Sequence, residues 1–62
     1  MTGTVVKVYK SGNGLILGDD KNNYHFLLLD VLDKRILKIN DTVSFRIVDS
    51  GVFSKATLIK TI

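Results

Sequence analysis

Ser11-Gly12-Asn13-Gly14-Leu15-Ile16-Leu17, "SGNGLIL", sets two glycines and two small polar residues directly against three consecutive aliphatics. Glycine reaches backbone conformations closed to other residues, and Ser and Asn side chains bond the local main chain. The first half therefore reads as a turn and the second as a strand that it feeds. Similar punctuation recurs at Gly18-Asp19-Asp20-Lys21-Asn22-Asn23, Ile39-Asn40-Asp41-Thr42 and Asp49-Ser50-Gly51. Between these turns lie short runs rich in Val, Ile, Leu, Thr, Tyr and Phe, the composition of strands. Five strands follow: Thr4 to Lys10, Gly14 to Gly18, Tyr24 to Leu29, Thr42 to Val48, and Phe53 to Thr61. With no proline to interrupt pairing, they predict a small all-β barrel.

Leu29 to Lys38, "LDVLDKRILK", departs from this pattern. Leu29, Val31, Leu32, Ile36 and Leu37 approximate a helical spacing, and Asp30 or Asp33 is placed to cap a turn. A short helical or 3₁₀ turn between the third and fourth strands is expected. Alternation assigns faces to the strands. Val5, Lys7 and Tyr9 fall on one side of the first, with Thr4, Val6, Val8 and Lys10 opposite. Val43, Phe45 and Ile47 form a core face of the fourth, with Thr42, Ser44, Arg46 and Val48 outside. In the last strand Ala56, Leu58 and Ile62 compete with Thr57, Ile59 and Thr61, and the pattern leaves both choices open.

The chain has 62 residues, enough for one domain whose folding buries only about 60% of the unfolded surface. Such a core leaves little room for a deep substrate cleft. There is no cysteine, hence no disulfide framework and no thiolate metal site. One histidine, His25, and six scattered aspartates make a metal centre a poor reading, and no cofactor is expected. No nucleophile–base pair or paired carboxylate stands out, and Gly12-x-Gly14 lacks the context of a phosphate loop, so an enzyme is not expected. The N-terminus lacks the pattern of a signal peptide, and no apolar run approaches the roughly 20 residues that cross a bilayer. A soluble, cytoplasmic protein without membrane contact is the expectation. Nine Lys and Arg against six Asp leave a net charge of +3, compatible with a polyanionic partner and equally with a solubilising surface.

The order of these pieces resembles the cold-shock domain family. Gly3-Thr4-Val5 stands where that family begins "GTV", and Gly12-Asn13-Gly14-Leu15-Ile16 where it has "GFGFI". Leu29-Asp30-Val31 lies where its third strand ends in "S-D/A-I". Asn40-Asp41-Thr42-Val43-Ser44-Phe45 matches "G-x-x-V-x-F", and Ala56-Thr57-Leu58-Ile59 matches the closing "A-x-x-V". The resemblance covers essentially the whole chain, with one residue fewer in the turn before Gly12. It implies a five-stranded antiparallel OB-type barrel over residues 1–62 that binds single-stranded RNA or DNA. In the family, bases stack on exposed rings of the first three strands while surrounding lysines meet the phosphates.

Carried over residue by residue, most of those rings are missing. Lys7 stands at the family's first-strand Trp, and Asn13 and Leu15 at the two Phe of "GFGFI". With Leu29-Asp30-Val31 fixing the register, the Phe, His and last Phe of "VFVHF" become His25, Leu27 and Leu28. This register turns Tyr24 and Phe26 inward; a slip by one would expose them as a new aromatic pair. Tyr9 can supply a stacking surface beside Lys7 or be a half-buried strand residue. Phe53 reads as a loop-tip contact or a lid on the barrel. Two functions follow. The first is weak, salt-dependent binding of single-stranded nucleic acid with little sequence selectivity, by Lys7, Tyr9, Lys10, Asn13, Leu15, His25, Leu27, Leu28 and Lys55, with Arg46 as a further cation. The second is a protein-interaction or homodimerising module, using Leu15, Leu27 and Leu28 as an exposed apolar patch.

Overall fold

The computed structural model describes residues 1–49 and 54–62. Its five strands are β1 (Thr2–Val8), β2 (Gly14–Gly18), β3 (Asn23–Phe26), β4 (Thr42–Asp49) and β5 (Ser54–Thr61). They close into a barrel in the order β1-β2-β3-β5-β4, the all-β OB-type architecture expected. Ser50, Gly51 and Phe53 lie outside the described residues, and with them the two readings of Phe53 and most of the last turn.

One expectation is corrected. The barrel is mixed, not purely antiparallel: β3 and β5 pair in parallel through His25 and Lys55, whereas the other four pairings are antiparallel. The reason is parity. Strands that alternate direction around a closed ring must be even in number, so five strands need at least one parallel contact. An isolated parallel bridge from Val31 to Ile59 lies beyond it.

Val5, Ile16, Tyr24, Phe26, Val31, Leu37, Val43, Phe45, Ala56 and Ile59 fill the interior. Tyr24 and Phe26 are both inside, which settles the register of β3 in favour of the unslipped pairing. The Tyr24 and Phe45 rings pack tilted at 54°, their centroids 5.4 Å apart. This is a favoured aromatic geometry.

Two irregularities break the simple alternation. In β1, Val5 pairs with Ile16 and Lys7 with Leu15, so Val6 is an extra residue. Such a bulge switches which side chains face inward. Val5 is buried, Lys7 is exposed, and Val8 packs against the core, so Val5 and Lys7 do not share a face as alternation predicted. In β5, Ser44 pairs with Lys60 but Arg46 with Thr57, so β5 advances three residues while β4 advances two. Ala56 and Ile59 are consequently both buried, and Leu58 points out with a φ of 51°. The last strand gave no single core face because it has two short ones of opposite phase.

Ile47 is also corrected. It was expected in the core beside Val43 and Phe45, but it is exposed, as are Arg46, Val48 and Asp49. Ile47 follows the irregularity between Ser44 and Arg46, and although its ladder partner Ala56 is fully buried, Ile47 itself is 41% exposed. The expected helical turn is present only as a 3₁₀ turn, Leu28–Asp30. The Asp30 carboxylate reaches back to accept the Leu27 N–H at 3.0 Å. Lys34 has a φ of 57°, incompatible with a continuing helix. Val31 and Leu37 are buried from that segment, while Leu32 and Ile36 are exposed.

Candidate nucleic-acid interface

The register of the sheet sets four of the predicted site residues side by side. Lys7 of β1 pairs with Leu15 of β2, Leu15 with His25 of β3, and His25 with Lys55 of β5. Directly opposed residues on neighbouring strands point to the same side of a sheet. The inward neighbours Ile16, Tyr24, Phe26 and Ala56 are buried, which leaves this row on the outer face. Val48 of β4 pairs with Lys55, extends the row onto a fifth strand, and is exposed.

The β1 bulge is what brings Lys7 here. Without an extra residue at Val6, strict alternation would have carried the Lys7 side chain to the Val5 side and into the barrel. Tyr9, exposed just past the end of β1, lies with its ring 5.7 Å from the Lys7 ammonium. A cation at that distance from an aromatic face is attracted to it. Lys7 and Tyr9 thus share a surface, as the sequence suggested.

The turn that leads into β2 is built from Gly12 to Gly14. Gly12 donates its N–H to the Tyr9 carbonyl at 2.9 Å and has a φ of 90°. Gly14 crosses β1 so closely that a Cβ would stand 2.0 Å from the Lys7 carbonyl oxygen and 3.0 Å from the Phe26 ring. Lys10 is exposed in this turn. Asn13 is half-buried, and its side-chain carbonyl accepts the Leu28 N–H at 2.9 Å. Leu28 packs over Gly12, where an added Cβ would meet its side chain at 3.1 Å. Asn13 and Leu28 therefore join the first turn to the 3₁₀ turn, apart from the cross-strand row.

Leu15 and Leu28 are half-buried, and of the three predicted outer leucines only Leu27 is exposed. Leu27, His25, Phe26 and Lys55 line a hollow of about 170 Å³ at the β3–β5 contact. Arg46 is exposed on the outside of β4, opposite Thr57.

Lys55 is not surrounded by water alone. Its ammonium lies 3.1 Å from Asp30, whose side chain is only 13% exposed. Asp30 also accepts the Leu27 N–H and, at 3.1 Å, the Thr57 hydroxyl. Burial pushes the Asp30 carboxyl up. The bonds from Leu27, Lys55 and Thr57, with the Lys55 charge, outweigh that and hold it below the usual carboxylate value. Sequence reasoning missed Asp30 as a site residue and read it only as a possible cap. It also missed Val48 and the outward Leu17, although alternation from Leu15 carried the signal for Leu17. Nothing local in the sequence relates Asp30 to Lys55, 25 positions later.

Chemically, the face offers cations at the two ends of a row, an aliphatic and an imidazole between them, and a phenol ring beside the first cation. No protein-family model and no curated protein matches this chain.

Proposed function

We propose that the outer face of β1, β2, β3 and β5 binds single-stranded RNA or DNA in the manner of a cold-shock domain, with phosphate contacts dominating and base contacts secondary. The observation that carries this reading is the row Lys7–Leu15–His25–Lys55. Three strand spacings of about 4.8 Å separate its two lysines, so its ends lie about 14 Å apart. A single strand laid across the sheet meets a cation at each end and the Leu15–His25 surface between. Tyr9 adds a second flat ring at the Lys7 end. Each stacked base is worth about 1–3 kcal/mol, so two rings in place of a full aromatic platform support only weak affinity. Lys10 and Arg46, exposed nearby on the turn and on β4, add to the attraction for a polyanion.

The alternative, a homodimer through Leu15, Leu27 and Leu28, draws less support. Two of these leucines are half-buried within the chain itself, which reduces the apolar area left for a partner.

A fluorescence-anisotropy titration with labelled oligo-dT and oligo-U tests the proposal. Binding is expected in the micromolar range in low-salt buffer, falling on a log–log plot with a slope of about −0.7 per phosphate contact. Absence of binding at high micromolar protein in low salt would sink the reading. Sedimentation of the same sample measures the dimer alternative directly.

A further inference from the structure

Asp30 lies against one end of the proposed nucleic-acid row, and its carboxylate already holds the donors that an incoming phosphate would use. Three donors converge on it from two places: the Leu27 N–H just past β3, and the Lys55 ammonium and Thr57 hydroxyl of β5. The Leu27 N–H and the Lys55 ammonium both address Oδ2, and the Thr57 hydroxyl addresses Oδ1. Convergent N–H and O–H groups with an ammonium are the donor set of an anion site. Here the anion is supplied by the chain itself.

We propose that Asp30 is an internal anionic competitor that sets the affinity of this face for polyanions by occupying the Lys55 end of the row. This rests on the nucleic-acid reading above. Lys55 bears three donors, of which one or more is spent on Asp30, and the pair carries no net charge. A phosphate reaching Lys55 comes within a few ångströms of a carboxylate that cannot retreat, because the bond to Leu27 N–H ties it to its own turn. Lys7, at the opposite end, has Tyr9 as its contact, and among the described residues no carboxylate pairs with it. The two ends of the row are therefore unequal. Lys7 delivers its full charge to a ligand, and Lys55 delivers a part of it.

Asp30→Asn tests this with little structural disturbance. The amide oxygen can still accept the Leu27 N–H, and the amide NH₂ can donate to the Thr57 hydroxyl, which accepts as readily as it donates. Only the ion pair is lost. Removing one like charge at contact range in a high-dielectric surface corresponds to roughly three- to tenfold tighter binding of oligo-dT or oligo-U in low salt. The released lysine should also steepen the salt dependence by about 0.7 in log–log slope. A purely structural role would weaken binding and leave the slope unchanged. Thr57→Val is the control, since it removes a bond to the same carboxylate while keeping both charges, and its slope should equal that of the unaltered chain.

Amide chemical shifts of the variant verify its fold. Should Asp30→Asn unfold, Asp30→Ser removes the same charge and should shift affinity and slope in the same direction. If the unaltered chain binds and a folded variant binds no tighter with an unchanged slope, the competitor role is overturned and the nucleic-acid reading stands. If neither the chain nor the variant binds in low salt, both fall.

Discussion

The β1–β2 corner and the β5 bulge both require unusual backbone, and the chain meets the two demands with opposite residues. At the corner, Gly12 takes a φ of 90° and Gly14 lets two strands approach until a Cβ would stand 2.0 Å from a carbonyl oxygen. At the bulge, Leu58 takes a φ of 51° with its side chain half in solvent. The difference separates two kinds of constraint. At Gly14 the obstacle is the main chain of a neighbouring strand, which has nowhere to go. At Leu58 the obstacle is only the residue's own Cβ against its own carbonyl, a local strain of about 1–2 kcal/mol that the surrounding ladder can hold. The first admits glycine alone. The second admits other residues at a cost.

The comparison breaks most visibly at Gly14. Gly14→Ala must push β2 away from Lys7 and disturb the Phe26 packing beneath, and a loss of at least about 3 kcal/mol is expected. A chain of this length has roughly 3–9 kcal/mol in all, so the loss removes about a third or more of its stability, and the urea midpoint read by far-UV circular dichroism should fall accordingly. Gly12→Ala should lose less, about 1–2 kcal/mol in urea denaturation. Its strain is again conformational, and the neighbour it meets is the Leu28 side chain, not backbone. Equal losses at the two glycines would show that close approach is not the controlling term at Gly14.

The same contrast explains what was legible in the sequence. Turn chemistry and alternation located the turn before β2, the exact span of β2 and the Val43–Phe45 core face. These features are local, with a period of two and glycines where the backbone is tightest. The inward Tyr24 and Phe26 came from the register that the family resemblance implied. The bulges at Val6 and Leu58 were not legible, because an inserted residue leaves no mark when it is an ordinary aliphatic. The single errors at Lys7 and Ile47 have different sources. Lys7 was displaced by a bulge, whereas Ile47 lies just past the β4–β5 irregularity, where a buried partner, Ala56, does not bring it into the core. At the candidate site, Lys7, Leu15, His25 and Lys55 were named from a family resemblance, but their alignment in one row depends on the β3–β5 contact. That contact joins residues 30 positions apart, and no local pattern specifies its register. The Asp30–Lys55 pair was invisible for the same reason.

Leu58 offers the sharper test of whether an aliphatic is merely tolerated at a left-handed position. Leu58→Gly removes the strain, adds about 0.5–1 kcal/mol of chain entropy to the unfolded state, and gives up some partly buried area. A small net gain of about 0.5 kcal/mol is expected, seen as a melting temperature higher by roughly 2–4 °C. A clear loss of stability would mean that the Leu58 side chain holds the bulge in place, and that the comparison with Gly12 understates its packing.

The turn between β2 and β3 supplies an intermediate case, with the smallest expected effect. Lys21 also has a positive φ, 72°, yet it is flanked by a bonded network. Asp20 accepts the Asn22 N–H at 3.1 Å and the Tyr24 hydroxyl, whose ring belongs to the core. The Tyr24 bond, more than the contacts with Asn22, holds the Asp20 carboxyl below its ordinary value of 3.8, against a smaller upward push from desolvation. The same bond, with desolvation, raises the Tyr24 phenol above 10.0. For the lowered carboxyl, the stabilisation is present above pH 3.8 and is lost as pH falls through the folded-state value. For the raised phenol, it is present below pH 10.0 and is lost as pH rises through the folded-state value. The urea midpoint should therefore decline at both extremes. Tyr24→Phe should abolish this residue's alkaline decline. It should only soften the acid one, because Asp30 and Asp33, whose carboxyls are also lowered, continue to bind protons on unfolding. An alkaline limb unchanged in Tyr24→Phe would show that the phenol bond does not support the turn, and Lys21 would then join Leu58 as strain held by the ladder alone.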